Sequence, residues 1–195
     1  MNIEYVTGNE GKFREASLVL QGWNLEQVEL DLPEVQGDRT EIARSKARAA
    51  LQQLQRPLIV EDVSLSCPAL NGLPGPYIKD FLRLLGEEGF AELIHKYTNH
   101  RATVYCVAAF IKPGSEPHLF EGTLSGTIVQ PRGASRHGKY SWNSLFVADG
   151  LNKSFGELSF EEISTISARS KALIALRRFL ETHEQSLNEG SNPPS

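Results

Sequence analysis

The chain has 195 residues, of which 40% are hydrophobic and 23% charged, a composition typical of a globular protein with an apolar core. Its formal net charge of −4 argues against nucleic acid or an anionic membrane as the main partner, because both attract basic proteins. The sequence shows neither a membrane-spanning apolar run nor a signal-peptide pattern, so we expect a cytoplasmic protein.

The N-terminal third of the chain alternates between strand and helix patterns. Residues 2–6 predict a strand, and residues 11–22 predict a helix. A second strand is predicted over 25–32, an alanine-rich helix over 40–54, and a buried strand over 58–62. Such alternation is typical of an α/β fold.

The middle of the chain predicts a helix from Pro76 and a short helix over 89–97. Two long strands, 102–112 and 119–130, flank a turn and predict a hairpin. The segment 131–150 is polar and contains glycines and aromatic residues, a pattern that indicates a functional loop.

The C-terminal end predicts a last helix over 166–183. The segment 184–195 is polar and ends in proline and serine, which favours a disordered tail. Because the sequence shows neither an internal repeat nor a convincing linker, we interpret residues 1–183 as a single domain.

The turn between the first strand and the first helix, "VTGNEGKF", is a candidate anion site. A glycine-containing turn at a helix N-terminus presents backbone N–H groups, and Lys12 adds a positive charge. The spacing of Gly8 and Gly11 matches neither a Walker A loop nor a GxGxxG motif. A tight turn with a solvated lysine is the alternative interpretation.

Two acids, Glu61 and Asp62, end the apolar strand "LIVED". Ligands of α/β sheets collect at the carboxyl ends of strands, and magnesium prefers a few carboxylates together with phosphate oxygens and water. Glu41 follows Thr40, the predicted N-cap of the second helix; an acid there is also explained by the helix dipole. An exposed acidic turn is the alternative for the strand-end pair. Together with Lys12, the three acids predict a metal–polyphosphate site.

Histidines and cysteines indicate no second site of this kind. The five histidines show no metal-ligand spacing, and the sequence contains no GxSxG motif. Only His137, in the polar loop, is retained as a functional candidate. Cys67 and Cys106 form no CxxC pair, and we interpret them as buried thiols of a protein in a reducing compartment.

A likeness to a known family rests on five segments in the same order: "VTGNEGKF", "LPEVQG", "EIARSKARAA", "LIVEDVSLSCPALNGLPGPYIKDFL" and "FEGTLSGTIVQPRG". These segments resemble the inosine triphosphate pyrophosphatase family, also called the Ham1-like non-standard purine nucleoside triphosphate pyrophosphatases. The likeness extends from residue 3 to about residue 180. It implies an elongated mixed central sheet with flanking helices and two lobes around a nucleotide cleft.

The resemblance also implies an activity. Members of the family cut a nucleoside triphosphate between the α and β phosphates and release a monophosphate and pyrophosphate. They act on inosine, xanthosine and deoxyinosine triphosphates, use magnesium, and usually form homodimers. We therefore expect a magnesium-dependent hydrolase that is dimeric, with manganese as a second candidate ion.

The resemblance assigns roles to individual residues. Those implied to hold the triphosphate are Thr7, Gly8, Asn9 and Lys12. Those implied to hold magnesium are Glu41, Glu61 and Asp62. The implied catalytic set is Lys12, Glu41 and Asp62, in which an acid orients or deprotonates the attacking water. Those implied on the base side are Tyr140, Trp142, Asn143, Ser167 and Arg169.

The segments that read the base depart from the family pattern. Asn143 and Ser144 stand where the family has Asp-Pro, and Ile163 and Ser164 stand where it has Lys-Asn. Ala168 replaces a histidine. In the family, donors in this region meet the 6-oxo group of the base, and a site that loses such donors loses discrimination. We therefore expect an altered or relaxed base preference.

Other interpretations stay open. Arg136, His137 and Lys139 in the enlarged loop could replace the lost donors. The chain could also be a non-catalytic nucleotide-binding sensor or scaffold, although the retained metal set argues against this. Tyr140 could stack on the base, whereas Trp142 is interpreted first as a core residue.

Overall fold

The chain folds around one mixed sheet. The computed structural model describes residues 1–33, 35–134 and 140–189, with side chains described through residue 183. In chain order, the elements are β1 (Asn2–Val6), α1 (Glu10–Val19), β2 (Asn24–Val28), α2 (Arg39–Leu54), β3 (Leu58–Ser66), β4 (Pro74–Gly75), α3 (Ile78–His95), β5 (Arg101–Ile111), β6 (His118–Ile128), β7 (Phe146–Ala148), α4 (Phe160–Ile166) and α5 (Ala168–Glu189).

Within the described residues the sheet has seven strands, in the order β2-β1-β3-β5-β6-β7, with β4 paired to β3. β1 runs parallel to β2 and to β3, whereas the other pairs are antiparallel. The parallel pairs are connected by crossover helices and the β5–β6 pair by a hairpin, as sheet geometry requires. The predicted α/β class, with a mixed central sheet and flanking helices, is confirmed.

A difference in strand length between β1 and β3 makes room for a site. Tyr5 of β1 lies opposite Ile59 of β3, but β1 ends at Val6 whereas β3 continues to Ser66. Beyond Val6, this edge of β3 therefore has no strand from β1 beside it. Glu61 and Asp62 lie on this stretch, and their side chains point to opposite faces of the sheet because strand residues alternate.

Each face of the sheet carries its own apolar core. On one face, residues such as Ile59 and Cys106 pack in a large cluster with α1, α3 and α5. On the other face, Val60 and Val107 pack against Ala47 and the neighbouring alanines of α2. Small alanine side chains of α2 therefore supply much of the second core.

The C-terminal half differs from the sequence prediction in several places. The helices predicted from Pro76 and over 89–97 form one helical segment, α3, interrupted at Gly86, whose φ is 72°. β7 lies inside the segment predicted to be a loop, and α4 precedes the predicted last helix. β7 and α4 are short, so tertiary contacts decide them more than local pattern does.

The last helix is longer than predicted. α5 extends to Glu189, inside the segment whose composition favours a disordered tail, and residues 190–195 lie outside the described residues. Across the described residues, none of the helices is both long and apolar enough to cross a bilayer.

Gly122 controls how closely α5 approaches the sheet, and its replacement by alanine tests this packing. A Cβ atom at Gly122 would lie 2.0 Å from the carbonyl oxygen of Ala168 and 2.6 Å from the backbone nitrogen of Ala172. We expect Gly122→Ala to lower the free energy of unfolding by about 2 kcal/mol or more, because backbone atoms must move. Urea denaturation followed by circular dichroism measures the change.

Gly89→Ala is the matched control, since Gly89 lies within α3 and a Cβ atom there makes an ordinary contact of 3.4 Å with Leu85. Alanine favours a helix interior over glycine by about 1 kcal/mol, so this variant should be at least as stable as the wild type. Equal effects of the two substitutions would contradict the close packing of α5 on β6.

Candidate active site

A cavity of about 570 Å³ lies at the carboxyl end of β1. Its lining comes from the β1–α1 turn, the edge of β3 beyond Val6, and the start of α3 and of α5. Residues of α2, of β5 and of the segment 140–143 complete the lining. The lining residues that were predicted from the sequence are Thr7, Gly8, Asn9, Lys12, Glu61, Asp62, Tyr140, Trp142, Asn143, Ser167 and Arg169. Within the described residues, the fold thus brings all the site residues that the resemblance implies, except Glu41, to one cavity.

The β1–α1 turn is ordered by its own hydrogen bonds. Asn9 is the N-cap of α1, and its Oδ1 accepts from the backbone N–H of Lys12 at 3.1 Å. The backbone N–H of Asn9 in turn donates to Oγ1 of Thr7 at 3.1 Å. These bonds order the first turn of the helix and therefore the backbone of Lys12, whose side chain lines the cavity.

Glu61 is the most strongly bound carboxylate of the cavity. Its Oε2 accepts from the Tyr5 hydroxyl and from Nε of Arg169, each at 2.7 Å, and its Oε1 lies 2.9 Å from Nζ of Lys12. The Glu61 side chain is only 2% exposed. Burial alone would raise its pKa, but the charges of Arg169 and Lys12 outweigh burial and hold the pKa far below its ordinary value. Glu61 therefore stays ionised.

A second buried acid, Glu15 on α1, completes this network. Its Oε2 accepts from Nη1 of Arg169 at 2.7 Å, and its Oε1 accepts from the hydroxyls of Ser167 and Ser170. Burial would lower the pKa of Arg169, but the charges of Glu61 and Glu15 raise it well above the ordinary value. Ser167 and Arg169, implied by resemblance to lie on the base side, thus also belong to a buried ionic network.

Glu15 was missed in the sequence, although a signal exists. It is one position before Ala16 and four before Val19, so an acid occupies the inward-facing stripe of α1. An acid in such a stripe needs a buried partner, because an unpaired charge is costly to bury. The partner could not be identified from the sequence, since Arg169 is far away along the chain.

Asp62 has a different environment on the opposite face of β3. Its Oδ1 lies 2.6 Å from Nζ of Lys46 on α2. Its Oδ2 is buried and has no hydrogen-bond partner among the described residues. Lys46 was also missed, although its position four residues after the buried Ile42 places it on the inward side of α2.

Glu41 is placed apart from these acids. It is exposed, and its Oε2 accepts from the backbone N–H of Asp38 at 3.3 Å, which completes a capping box at the start of α2. The prediction of Thr40 as the N-cap is wrong, because Asp38 occupies that position. Ile42, the next residue, lines the cavity, whereas Glu41 itself is not part of the lining, so its role as a metal ligand stays a prediction.

The carboxylates of the cavity offer a limited set of oxygens to a metal. In the parts of the chain that are described, no group of three or more histidine, cysteine, aspartate or glutamate side chains is arranged to hold an ion. Oδ2 of Asp62 is nevertheless a buried acceptor that a cation would satisfy. Magnesium needs only one or two protein carboxylates when phosphate oxygens and water supply the rest. The residues therefore fit a metal that arrives with a phosphate ligand.

The segment 140–146, which carries predicted base-side residues, joins the cavity to the core. The Trp142 ring packs at 5.5 Å from the ring of Phe146 and 5.8 Å from that of Phe155, and it also lines the cavity next to Tyr140. The Ser144 hydroxyl donates to a carboxylate oxygen of Glu87 on α3. The segment is therefore held by the aromatic core at Trp142 and by α3 at Ser144.

Three basic residues of the enlarged loop, Arg136, His137 and Lys139, lie outside the described residues. Their proposed role in replacing lost donors stays a prediction.

Comparisons with known proteins match almost the whole chain. A sequence model of the Ham1 family matches residues 3–179. The chain belongs to the Ham1 family. It is 43% identical over 190 residues to an inosine triphosphate pyrophosphatase of Yarrowia lipolytica, covering 95% of this chain and 100% of the relative. An inosine triphosphate pyrophosphatase of Puccinia graminis f. sp. tritici is 38% identical over 187 residues, covering 91% of this chain and 96% of the relative.

A solved Ham1 structure has the same fold. The Staphylococcus aureus Ham1 protein superposes with a TM-score of 0.76 at 28% identity, covering 94% of this chain and 100% of that chain. Membership of the Ham1 family confirms the resemblance read from the five sequence segments. The roles of individual residues in holding substrate and metal stay predictions.

Removal of the shared cation tests the buried ionic network. In Arg169→Met, Glu15 and Glu61 would remain buried without the guanidinium group that both contact. We expect the free energy of unfolding at neutral pH to fall by about 3–5 kcal/mol, as when one partner of a buried ion pair is removed. Arg48→Met is the control, because Arg48 forms an exposed pair with Glu116, and its loss should leave the free energy of unfolding nearly unchanged.

The effect of Arg169→Met should depend on pH in a defined direction. The folded-state pKa of Glu61 is lower than its ordinary value of 4.5, so ionised Glu61 stabilises the wild type above that pH. This stability is lost as the pH falls through the folded-state pKa. The difference in free energy of unfolding between wild type and variant should therefore become smaller below about pH 4.5, because protonation of Glu61 also relieves the unpaired charge in the variant. A gap that widens in acid would contradict the assigned network.

Proposed function

We propose that this chain hydrolyses nucleoside triphosphates of non-standard purines between the α and β phosphates, releasing a monophosphate and pyrophosphate. The observation that carries the proposal is one cavity in which Lys12, Lys46 and Asp62 lie together with the aromatic residues Tyr140 and Trp142. The two lysines suit a charged phosphate chain, Asp62 suits a metal ion that accompanies the phosphates, and the aromatic side chains suit a flat base. The Yarrowia and Puccinia relatives are named inosine triphosphate pyrophosphatases, which supports the same reaction here.

The phosphate chain would be held by lysines and by the β1–α1 turn. Nζ of Lys12 lies 2.9 Å from Glu61, and Nζ of Lys46 lies 2.6 Å from Asp62. An ammonium group has three donors, so each lysine can keep its carboxylate partner and still donate to a phosphate oxygen. Thr7 and Asn9 position Lys12 through the ordered first turn of α1. The carboxylates in turn hold the ammonium groups in place before substrate arrives.

Magnesium is the proposed cofactor, with manganese as an alternative ion. Asp62, through its unpartnered Oδ2, is the first proposed ligand, and Glu61 and Glu41 are further candidates. When bound, the ion would neutralise phosphate charge and lower the pKa of an attacking water. The strongly lowered pKa of Glu61 makes it a weak proton acceptor, so we assign it to orienting Lys12 and not to deprotonating water.

A cytoplasmic location and a homodimer are further parts of the proposal. Cys67 and Cys106 are free and buried, and burial raises the pKa of the Cys67 thiol to about 12, as suits inert thiols in a reducing compartment. The alternative is a non-catalytic sensor or scaffold. Lys12 and Asp62 argue against it, because both line the cavity and a non-catalytic protein has less need for them.

The reaction and its metal dependence can be tested together. We expect purified protein with magnesium to release pyrophosphate from inosine triphosphate, and a chelator to abolish release. Asp62→Asn should lower kcat/KM at least about 100-fold, because it removes the charge of the proposed metal ligand. Asp149→Asn is the control, since Asp149 lies in an exposed pair with Arg101 and should keep near-wild-type activity. Absence of pyrophosphate from every nucleoside triphosphate tried would overturn the proposed function.

Glu41→Gln separates the two roles of that residue. Glutamine at the third helical position can still complete the capping box with Asp38, so the melting temperature should not change. If Glu41 is a metal ligand, loss of its charge should raise the magnesium concentration needed for half-maximal activity at least about tenfold. A magnesium titration measures this, and an unchanged curve would restrict Glu41 to helix capping.

A further inference from the structure

Arg39, the first residue of α2, ties this helix to the sheet outside the cavity. Its Nε donates to Oε2 of Glu121 on β6 at 2.7 Å, and its Nη2 donates to Oε1 of the same residue at 3.2 Å. The guanidinium carbon also lies 4.1 Å from the centre of the Tyr105 ring on β5. A planar guanidinium group that forks onto one carboxylate and stacks on an aromatic ring is held in both distance and orientation.

The Arg39 anchor lies in the same row of the sheet as Asp62. Asp62 of β3 is paired with Val107 of β5, and Val107 is paired with Glu121 of β6. Residues paired across neighbouring strands point to the same face of a sheet, so all three residues face α2. Neighbouring strands are about 4.8 Å apart, which places the Cα atom of Glu121 about 10 Å from that of Asp62.

A second ion pair ties α2 to the other end of this row. Lys46 lies two turns after Arg39 in the same helix, and its Nζ lies 2.6 Å from Oδ1 of Asp62. Two turns of an α-helix advance about 10 Å, which matches the distance between the two carboxylate positions along the row. The pairs Arg39–Glu121 and Lys46–Asp62 therefore hold the first part of α2 to one row of the sheet at both ends.

The apolar contacts between these two ion pairs are small. Ala43 and Ala47 are the residues of this stretch that pack in the core between α2 and the sheet. Alanine side chains are short and apolar, so their contacts permit small shifts of a helix, whereas a forked ion pair defines one position. Without the anchor at Arg39, the Lys46 ammonium group would shift relative to Asp62.

We propose that Arg39 is a positioning residue for the phosphate side of the site. Through α2 it holds Lys46 at the place where the ammonium group contacts Asp62 and reaches a phosphate oxygen. The inference rests on the proposed function and adds a residue outside the cavity on which phosphate binding depends. Because Arg39 acts on the phosphate side, its loss should weaken phosphate binding and leave the choice of base unchanged.

Arg39→Met tests the proposal, because methionine keeps an unbranched side chain and removes the forked donor. The measurement is the dissociation constant of pyrophosphate, the proposed product, by calorimetry with magnesium present. We expect this constant, and the KM for inosine triphosphate, to rise at least about fivefold. The ratio of kcat/KM values for inosine triphosphate and ATP should not change. Arg48→Met is the matched control on the same helix, since Arg48 forms an exposed pair with Glu116 and should leave both constants unchanged.

A double variant shows whether Arg39 acts through Lys46. Lys46→Met alone should weaken pyrophosphate binding at least as much as Arg39→Met does. Adding Arg39→Met to Lys46→Met should then change the dissociation constant by less than about twofold, because the residue that Arg39 positions is already lost. A merely structural role would show no such dependence on Lys46. Glu121→Gln removes the charge of the anchor from the sheet side and supplies the same comparison if Arg39→Met does not fold.

The outcomes are distinct. Unchanged pyrophosphate binding in Arg39→Met and Glu121→Gln, or an equal loss with and without Lys46, would overturn the role of Arg39. A wild type that binds pyrophosphate but releases none from any nucleotide would overturn the proposed function, and pyrophosphate binding by the variants would still decide the inference. A wild type that neither cuts nucleotides nor binds pyrophosphate would overturn both.

Discussion

The burial of two carboxylates around one guanidinium group is the constraint on which the site depends. Arg169 holds Glu15 on one side and Glu61 on the other, and Glu61 in turn holds Lys12 and Tyr5. These residues come from α5, α1, β3 and β1, so a single network joins four elements around the cavity. Charges this deeply buried are tolerated only when each has a partner, and the network provides one for each.

The geometry of the sheet explains why the cavity has two chemically different acids. β1 stops early, and the continuing edge of β3 carries two successive carboxylates to opposite faces. Glu61 enters the dense network below the β1–α1 turn. Among the described residues, Asp62 pairs with Lys46 alone and keeps one oxygen without a hydrogen-bond partner. One strand thus supplies both a carboxylate that three side chains contact and a carboxylate with one unpartnered oxygen.

Much of this arrangement could be predicted from the sequence, and the exceptions share a cause. The β-α-β-α-β start, the β5–β6 hairpin and the cavity positions of Lys12, Glu61 and Asp62 follow from local pattern and from the carboxyl-end rule of α/β sheets. Glu15 and Lys46 were missed because their partners are distant in sequence. β7 was missed because three residues are too few for a periodic pattern, and only its pairing with β6 defines it.

The network also has a consequence for how this sequence can change over generations. Glu15, Glu61, Arg169 and Lys12 carry two negative and two positive charges, which cancel within one network at the wall of the cavity. A descendant that loses one of these charges must lose an opposite one to keep the balance. We therefore expect these positions to vary as a linked set among homologues, with paired replacements by neutral residues and few single exchanges.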